Sequence, residues 1–328
     1  MEVRNLSEHD YDQWNQLVER SVNGTIFHSS IWITSAAKIL HLDYAIIGVF
    51  KDSQLIGGCS FYFKSKFHVF KTGYTNVPFF PYGGFVISLP NNKNTRSSEL
   101  KVHEIFSLIL EKIQTFNIFY MNLINSPAII DIRSLKLQGW REYVYYTYIL
   151  NLENDIFFNF STSVRRSIRK SQKMGITVKK EYNPDIYWEL TKKTFEKQNL
   201  KTPLPKEHLF KLMEMLLQNN LGEMWIARTT NGEPASAEFI IWDNKQAYRW
   251  IAASDTQFKD TNAATLLLFE IFQDLQKRGF HEINLMAGNM SNISTFISSF
   301  NPRLVLYLGV EKFFLFNSFF QNHKYYLI

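Results

Sequence analysis

The sequence predicts an α/β (α+β) fold in two tandem halves, each a mixed sheet flanked by helices. Three observations predict it. An apolar hairpin pattern occurs twice, and each copy is followed by further strand, an amphipathic helix and another strand. Hydrophobic residues fill 45% of 328 positions, enough for a substantial core.

The first hairpin occupies residues 44–64: an apolar strand from Tyr44 to Phe50, a polar turn at Lys51-Asp52-Ser53-Gln54, and a return strand from Leu55 to Phe63. The second runs from Met224 to Arg228, turns at Thr230-Asn231-Gly232-Glu233 and continues to Trp242, with Asn-Gly as the hairpin signal. Gly57-Gly58-Cys59 of the first copy falls opposite Ala235-Ser236-Ala237 of the second. Behind the first hairpin, residues 99–116 set Val102, Ile105, Phe106, Ile109 and Ile113 on one helical face, ahead of a strand over 118–124. Behind the second come a strand over 246–254, a helix over 262–278 stopped by Gly279, and a strand over 282–286. A repeat of this length implies a tandem duplication rather than a solenoid. Residues 140–152 read as a strand closing the first half, before a basic helix and a helical region over 184–220. The boundary is drawn near Leu152, giving halves 1–152 and 153–328.

Charged residues make up 20% and aromatics 16%, which excludes a disordered chain. No run of eighteen apolar residues is present, and the N-terminus lacks a basic stretch followed by an apolar core, so a cytoplasmic location is expected. The single cysteine, Cys59, sits among small and β-forming residues and reads as a buried structural thiol. His28, His41 and His281 lack metal-ligand spacing, and no metal is expected.

The net charge of +6 is concentrated. Residues 161–180 hold seven cations (Arg165, Arg166, Arg169, Lys170, Lys173, Lys179 and Lys180) and no acid. On a helix Arg165, Arg169 and Lys173, and Arg166, Lys170 and Lys173, form two adjoining stripes whose like charges repel, a strain that either solvent or a bound anion relieves. Arginine suits bidentate phosphate or carboxylate contacts, which makes Arg165 and then Arg169 candidate substrate-binding residues.

The element order of the second half, taken with several motifs, resembles the Fem-type (FemAB-like) double-GNAT transferases and their acetyl-CoA-dependent relatives. The motifs are Phe27-His28-Ser29-Ser30-Ile31-Trp32 before a helix, Pro81-Tyr82-Gly83-Gly84, the basic helix from Ser163 to Lys170 ending in Met174-Gly175, and Ser254-Asp255-Thr256-Gln257-Phe258-Lys259 before a helix. The resemblance spans about residues 25–310. It implies two GNAT-like halves with mostly antiparallel sheets, the first on the acceptor side and the second on the acyl-donor side. It also implies transfer of an acyl group to an amine of a cell-envelope precursor, an amino sugar or peptidoglycan peptide. The donor would be acyl-CoA (acetyl-CoA) or, alternatively, an aminoacyl-tRNA; a catalytically silent binding protein of this fold is a further alternative, and DNA is not an expected partner. Two positions depart from the family pattern: Asn284 stands where an Asp is expected, and Phe296-Ile297 where a Phe-Lys pair is. The missing lysine favours acyl-CoA over tRNA.

Within this resemblance the turn carrying Lys259, Asn262, Ala263 and Ala264 corresponds to the coenzyme site. By its residues it is either an anion-binding helix start or an ordinary connection capped by Thr261 or Asn262. Glu238, in an otherwise apolar strand, is a general-base candidate if it faces inwards and the polar member of an alternating strand if it faces water. Asp255 is base, ammonium anchor or turn residue. Tyr248 and Trp250 line a cleft or pack. Trp32, Tyr82 and Gly83 are acceptor-side candidates by resemblance, and Trp32 by itself reads as a core anchor. The aromatic tail from Lys312 to Ile328 would dock on the core or touch a membrane surface.

Overall fold

The computed structural model describes residues 1–66, 70–88, 95–197 and 202–314. The chain divides into two compact units, Met1–Val144 with the segment from Tyr307 onward, and Tyr145–Leu306. The aromatic tail beyond Phe314 lies outside the described residues.

The first unit contains β1 (Glu2–Asn5), α1 (Tyr11–Arg20), α2 (Ser30–Leu40), β2 (Asp43–Lys51), β3 (Gln54–Lys66), β4 (Phe70–Tyr74), β5 (Gly84–Ile87), α3 (Thr95–Gln114), β6 (Ile118–Ile124) and α4 (Arg133–Leu137). The second contains β7 (Arg141–Asn151), most of which lies past the boundary, α5 (Ile156–Asn159), α6 (Thr162–Lys173), β8 (Thr177–Lys180), α7 (Pro184–Lys197), α8 (Lys206–Gln218), β9 (Gly222–Arg228), β10 (Pro234–Trp242), β11 (Ala247–Ser254), α9 (Ala263–Lys277), β12 (Glu282–Met286) and α10 (Ser291–Ser298). β13 (Arg303–Phe313) leads back into the first unit.

The strand order of the first unit is β1-β2-β3-β4-β6-β13, with β5 added to β3; that of the second is β8-β9-β10-β11-β12-β7. The two match rung for rung. In each, the hairpin and third strand are antiparallel, a crossover helix follows, and the next strand lies parallel to the third: β4 with β6, and β11 with β12. The duplication expected from the hairpins is therefore present as two matching runs of strands, each mixed and mostly antiparallel, within one 13-stranded sheet. The closing strand of each run is exchanged in sequence order. β13, late in the chain, pairs antiparallel with β6, and β7, which precedes the whole second copy, pairs antiparallel with β12.

Local chemistry explains the elements. Gly232 adopts φ +82° in the β9–β10 turn, as its Asn-Gly signal requires. Ser161 accepts a hydrogen bond from the Val164 N–H at 3.3 Å and starts α6; Gly279, at φ +87°, follows α9. Ile105, Phe106, Ile109 and Ile113 of α3 are fully buried against the strands of the first unit, with Cys59 among them, and burial pushes that thiol far up from its ordinary pKa. In the second unit Val164 and Ile168 of α6 join Leu267, Ile271 and Leu275 of α9 in the core. The cations of α6 consequently point away from it, with Arg166, Arg169, Lys170 and Lys173 exposed. The expected helical stretch over 184–220 is two helices, with Pro205 at the N-cap of α8.

Candidate functional site

The site of the second unit begins where two strands part. β11 and β12 pair in parallel only at Ala247–Ile283 and Tyr248–Asn284; from Arg249 to Ser254, β11 runs on without a β12 partner. Its register against β10 shifts between Phe239 and Ile240, so that an extra residue, Trp250, bulges on β11. A strand edge released from its ladder beside a bulge presents backbone groups that a ligand can pair with.

At the end of β11 the chain enters a tight helical turn, Thr256–Thr261, before α9. Asp255 caps this turn by accepting the Gln257 N–H at 2.9 Å, and its other oxygen accepts from Lys193 of α7 at 2.7 Å. Asn262 then takes a left-handed conformation, φ 57°, which asparagine tolerates without glycine. That geometry swings the start of α9 toward a cavity of about 340 Å³, lined by Ala263, Ala264 and Thr265 from its first turn, by Lys259 and Asn262 before it, and by Ser254 and Asp255 of the strand end. Ser163, Val164 and Ser167 of α6 face it from another side, with Phe296 and Ser299. Small side chains on α9 leave its backbone approachable, and the helix start carries a partial positive charge. With Lys259 and a ring of hydroxyls, the cavity is suited to an anionic group of phosphate type.

Each candidate residue has a definite place. Lys259, Asn262, Ala263, Ala264 and Asp255 meet around this cavity. Arg165 and Arg169 do not line it: the Arg165 Nη2 donates to the Thr162 hydroxyl at 3.3 Å, and the Arg169 guanidinium lies 5.4 Å from the Phe157 ring centre. The Arg165 Nε is buried with no hydrogen-bond partner among the described residues. Glu238 faces inwards, 1% exposed, and its Oε1 accepts from the Arg249 Nη2 at 2.7 Å. Burial raises its pKa while the adjacent guanidinium opposes the rise. It does not line the cavity. Tyr248 is fully buried and donates its hydroxyl to Asp243 at 2.7 Å, and Trp250 packs edge-on against Phe239.

In the first unit Trp32 is buried with its ring edge-on to Phe27 and Phe80, and Tyr82 is buried against Phe27 and Tyr307. The Gly83 N–H donates to the Ile124 carbonyl at 2.9 Å. Sequence reading passed over the partners, Lys193 for Asp255 and Arg249 for Glu238, because each comes from another element. It also passed over the wall serines, although Ser163 and Ser167 at i, i+4 share one helical face.

Among the described residues no His, Cys, Asp and Glu group could hold a metal ion, and no helix is long and apolar enough to cross a membrane.

Residues 159–291, which supply all of this cavity's named lining except Phe296 and Ser299, match the family model described as an acetyltransferase (GNAT) domain. The class follows from fold and match together: this is a GNAT-fold protein, and its two-unit architecture is Fem-like. Among solved structures, the chain is similar to FemX at a TM-score of 0.75 and 12% identity, over 98% of this chain and 100% of that one. A tandem GNAT protein from the clavulanic acid biosynthesis pathway aligns at a TM-score of 0.58 and 9% identity, over 95% and 98%. The C-terminal domain of a putative lysylphosphatidylglycerol synthetase from Agrobacterium fabrum aligns at 0.55 and 13%, over 92% of each chain. A comparison with curated protein sequences finds no match.

Proposed function

We propose that the protein is an N-acyltransferase that moves an acyl group from acyl-CoA to an amine of a cell-envelope precursor, an amino sugar or a peptidoglycan peptide, on the inner side of the membrane. One observation carries the reading: the anion-suited cavity at the start of α9 is lined mostly by the GNAT-matching segment, at the end of the strand that parts from its neighbour. The residues fit the donor. The Ala264 N–H, with Lys259 and the Ser163 and Ser167 hydroxyls, would hold the pyrophosphate, while the Ala263 N–H donates to the Thr261 hydroxyl at 3.3 Å. When bound, the donor supplies an acyl group already activated as a thioester.

The chain's own residues then orient and polarise. Beyond Tyr248 β11 has no β12 partner, and we place the acyl carbonyl, whose oxygen gains charge during attack, against that stretch of strand. Asp255 is the sole carboxylate among the described residues lining the cavity, and both its oxygens are engaged, by the Gln257 N–H and by Lys193. It therefore serves as a positioning group that fixes the turn before α9, and the amine's proton leaves through water. The first unit is assigned the acceptor side, as in the family the sequence resembles.

The exposed cations of α6 favour a second reading, an aminoacyl-tRNA donor, because an RNA backbone is also an anion. Thermal denaturation separates the two. Acetyl-CoA at a hundred times its dissociation constant should stabilise the protein by roughly 2.7 kcal/mol. Salt-sensitive binding of aminoacyl-tRNA with no response to any acyl-CoA would overturn the first reading.

A further inference from the structure

The first unit has a cavity of its own, about 410 Å³, at the corresponding place in the repeat. It lies at the first turns of α3, the counterpart of α9, and is closed by the end of β5 and by residues 128–131, which follow β6 as α10 follows β12. The chemistry differs from that of the second unit. We propose that this cavity is a separate ligand site, for a small amphipathic carboxylate whose apolar body enters between Val102, Phe106 and Ile129 while its carboxylate meets Arg20.

The wall is built rather than left over. Asn23, 4% exposed, donates to the Phe85 carbonyl at 2.8 Å and accepts the Ile87 N–H at 3.2 Å, and its carbonyl accepts from the Ser126 hydroxyl at 2.6 Å. A Cβ at neighbouring Gly24 would come within 2.0 Å of the Val18 carbonyl oxygen, so the loop after α1 closes tightly on the helix. These bonds fix the cavity's shape before any ligand arrives, which lowers the ordering penalty of binding.

The lining has two characters. Ile87, Val102, Phe106 and Ile129 form apolar walls, and at the rim Val22 and Ile130 stand 87% and 73% exposed, large apolar side chains facing water. An apolar ligand body that covered them would remove that surface from water. The lining charges are Arg20 and Asp131. Asp131 is already engaged: Arg133, which also pairs with Glu99, lies 2.7 Å away and His103 3.3 Å, and the guanidinium holds its carboxyl well below the usual carboxylate range. Arg20 makes no ion pair among the described residues; its Nη2 donates to the Leu55 carbonyl, which steadies the guanidinium and leaves further N–H groups. Arg20 is the one cation among the described residues lining the cavity, and a planar guanidinium favours a carboxylate. Ser21, Ser88 and Ser98 add hydroxyls, Ser98 from the first turn of α3, but no lysine is among the described residues lining the cavity, which argues against a pyrophosphate here.

The test is a calorimetric titration of the full chain with octanoate and, separately, with 1-octanol. Saturable 1:1 octanoate binding is expected, at least tenfold tighter than octanol, weakened at least tenfold in Arg20→Ala and abolished in Val102→Trp, which fills the cavity. Lys259→Glu, in the other unit, should leave octanoate binding unchanged. Absence of saturable octanoate binding to the wild type, or binding that Arg20→Ala leaves intact, overturns the proposal. Because Arg20 lies on the surface, its variant keeps the test decisive even if Val102→Trp fails to fold. Neither outcome depends on whether the second unit takes acyl-CoA.

Discussion

Glu238 and Arg249 form an ion pair with side chains 1% and 10% exposed, and the pair is only half-satisfied: Glu238 Oε2 and Arg249 Nε have no partner among the described residues. Removing one member strands the other charge away from water. Glu238→Ala should therefore lower unfolding stability by about 3–5 kcal/mol, read by urea denaturation. The pH response has a definite sign. Burial already raises the Glu238 pKa above its unfolded value, and Arg249→Met removes the attraction that opposes this rise. A raised carboxyl contributes stability below the unfolded carboxylate pKa and loses it as pH rises through the folded value. The Arg249→Met protein should thus lose more stability than wild type between pH 5 and pH 8. That Glu238 was a buried acid or a polar strand member was legible in an apolar strand. Which of the two holds was not, because the deciding partner sits on the next strand, across a bulge that alternation alone does not register.

The elements with strong local signals were legible: both hairpins, the crossover helices α3 and α9, and the basic helix α6. The elements passed over include the helices α1, α4, α5 and α10 and the strands β1, β8 and β13. β8 is a four-residue strand with mostly exposed side chains, and β1 is of the same length, so neither carries an apolar pattern. β13 is long but mixed in burial, and its pairing with β6 is set by a partner nearly two hundred positions away in sequence. Of the site, the turn and helix start were legible because a strand–turn–helix junction advertises itself by pattern; the serine wall was hidden inside a segment dominated by charge. Ser161→Ala, which removes the α6 cap, should cost about 1 kcal/mol. The same change should weaken acyl-CoA binding, since α6 carries one wall of the cavity; equal affinity in a folded variant would detach that wall from the site.

At the scale of the molecule the exchanged closing strands matter most. A boundary at Leu152 leaves a fragment 153–328 without β7, so that β12 loses its antiparallel neighbour and buried Asn284 loses the Thr147 hydroxyl that donates to it at 2.6 Å. Fragment 145–306 keeps both. It should show a cooperative thermal transition by circular dichroism, whereas 153–328 should aggregate or melt without one. The reverse ranking would contradict the exchanged topology.

The account as a whole rests on the cavity at the start of α9 being the donor site. The direct measurement is equilibrium binding of acetyl-CoA to the wild type and to Ala264→Trp, whose side chain would fill that cavity. Saturable wild-type binding, weakened at least tenfold in a variant with an unchanged melting temperature, is the predicted result. Wild-type protein that binds no acyl-CoA, or a folded variant that binds it equally well, would contradict it.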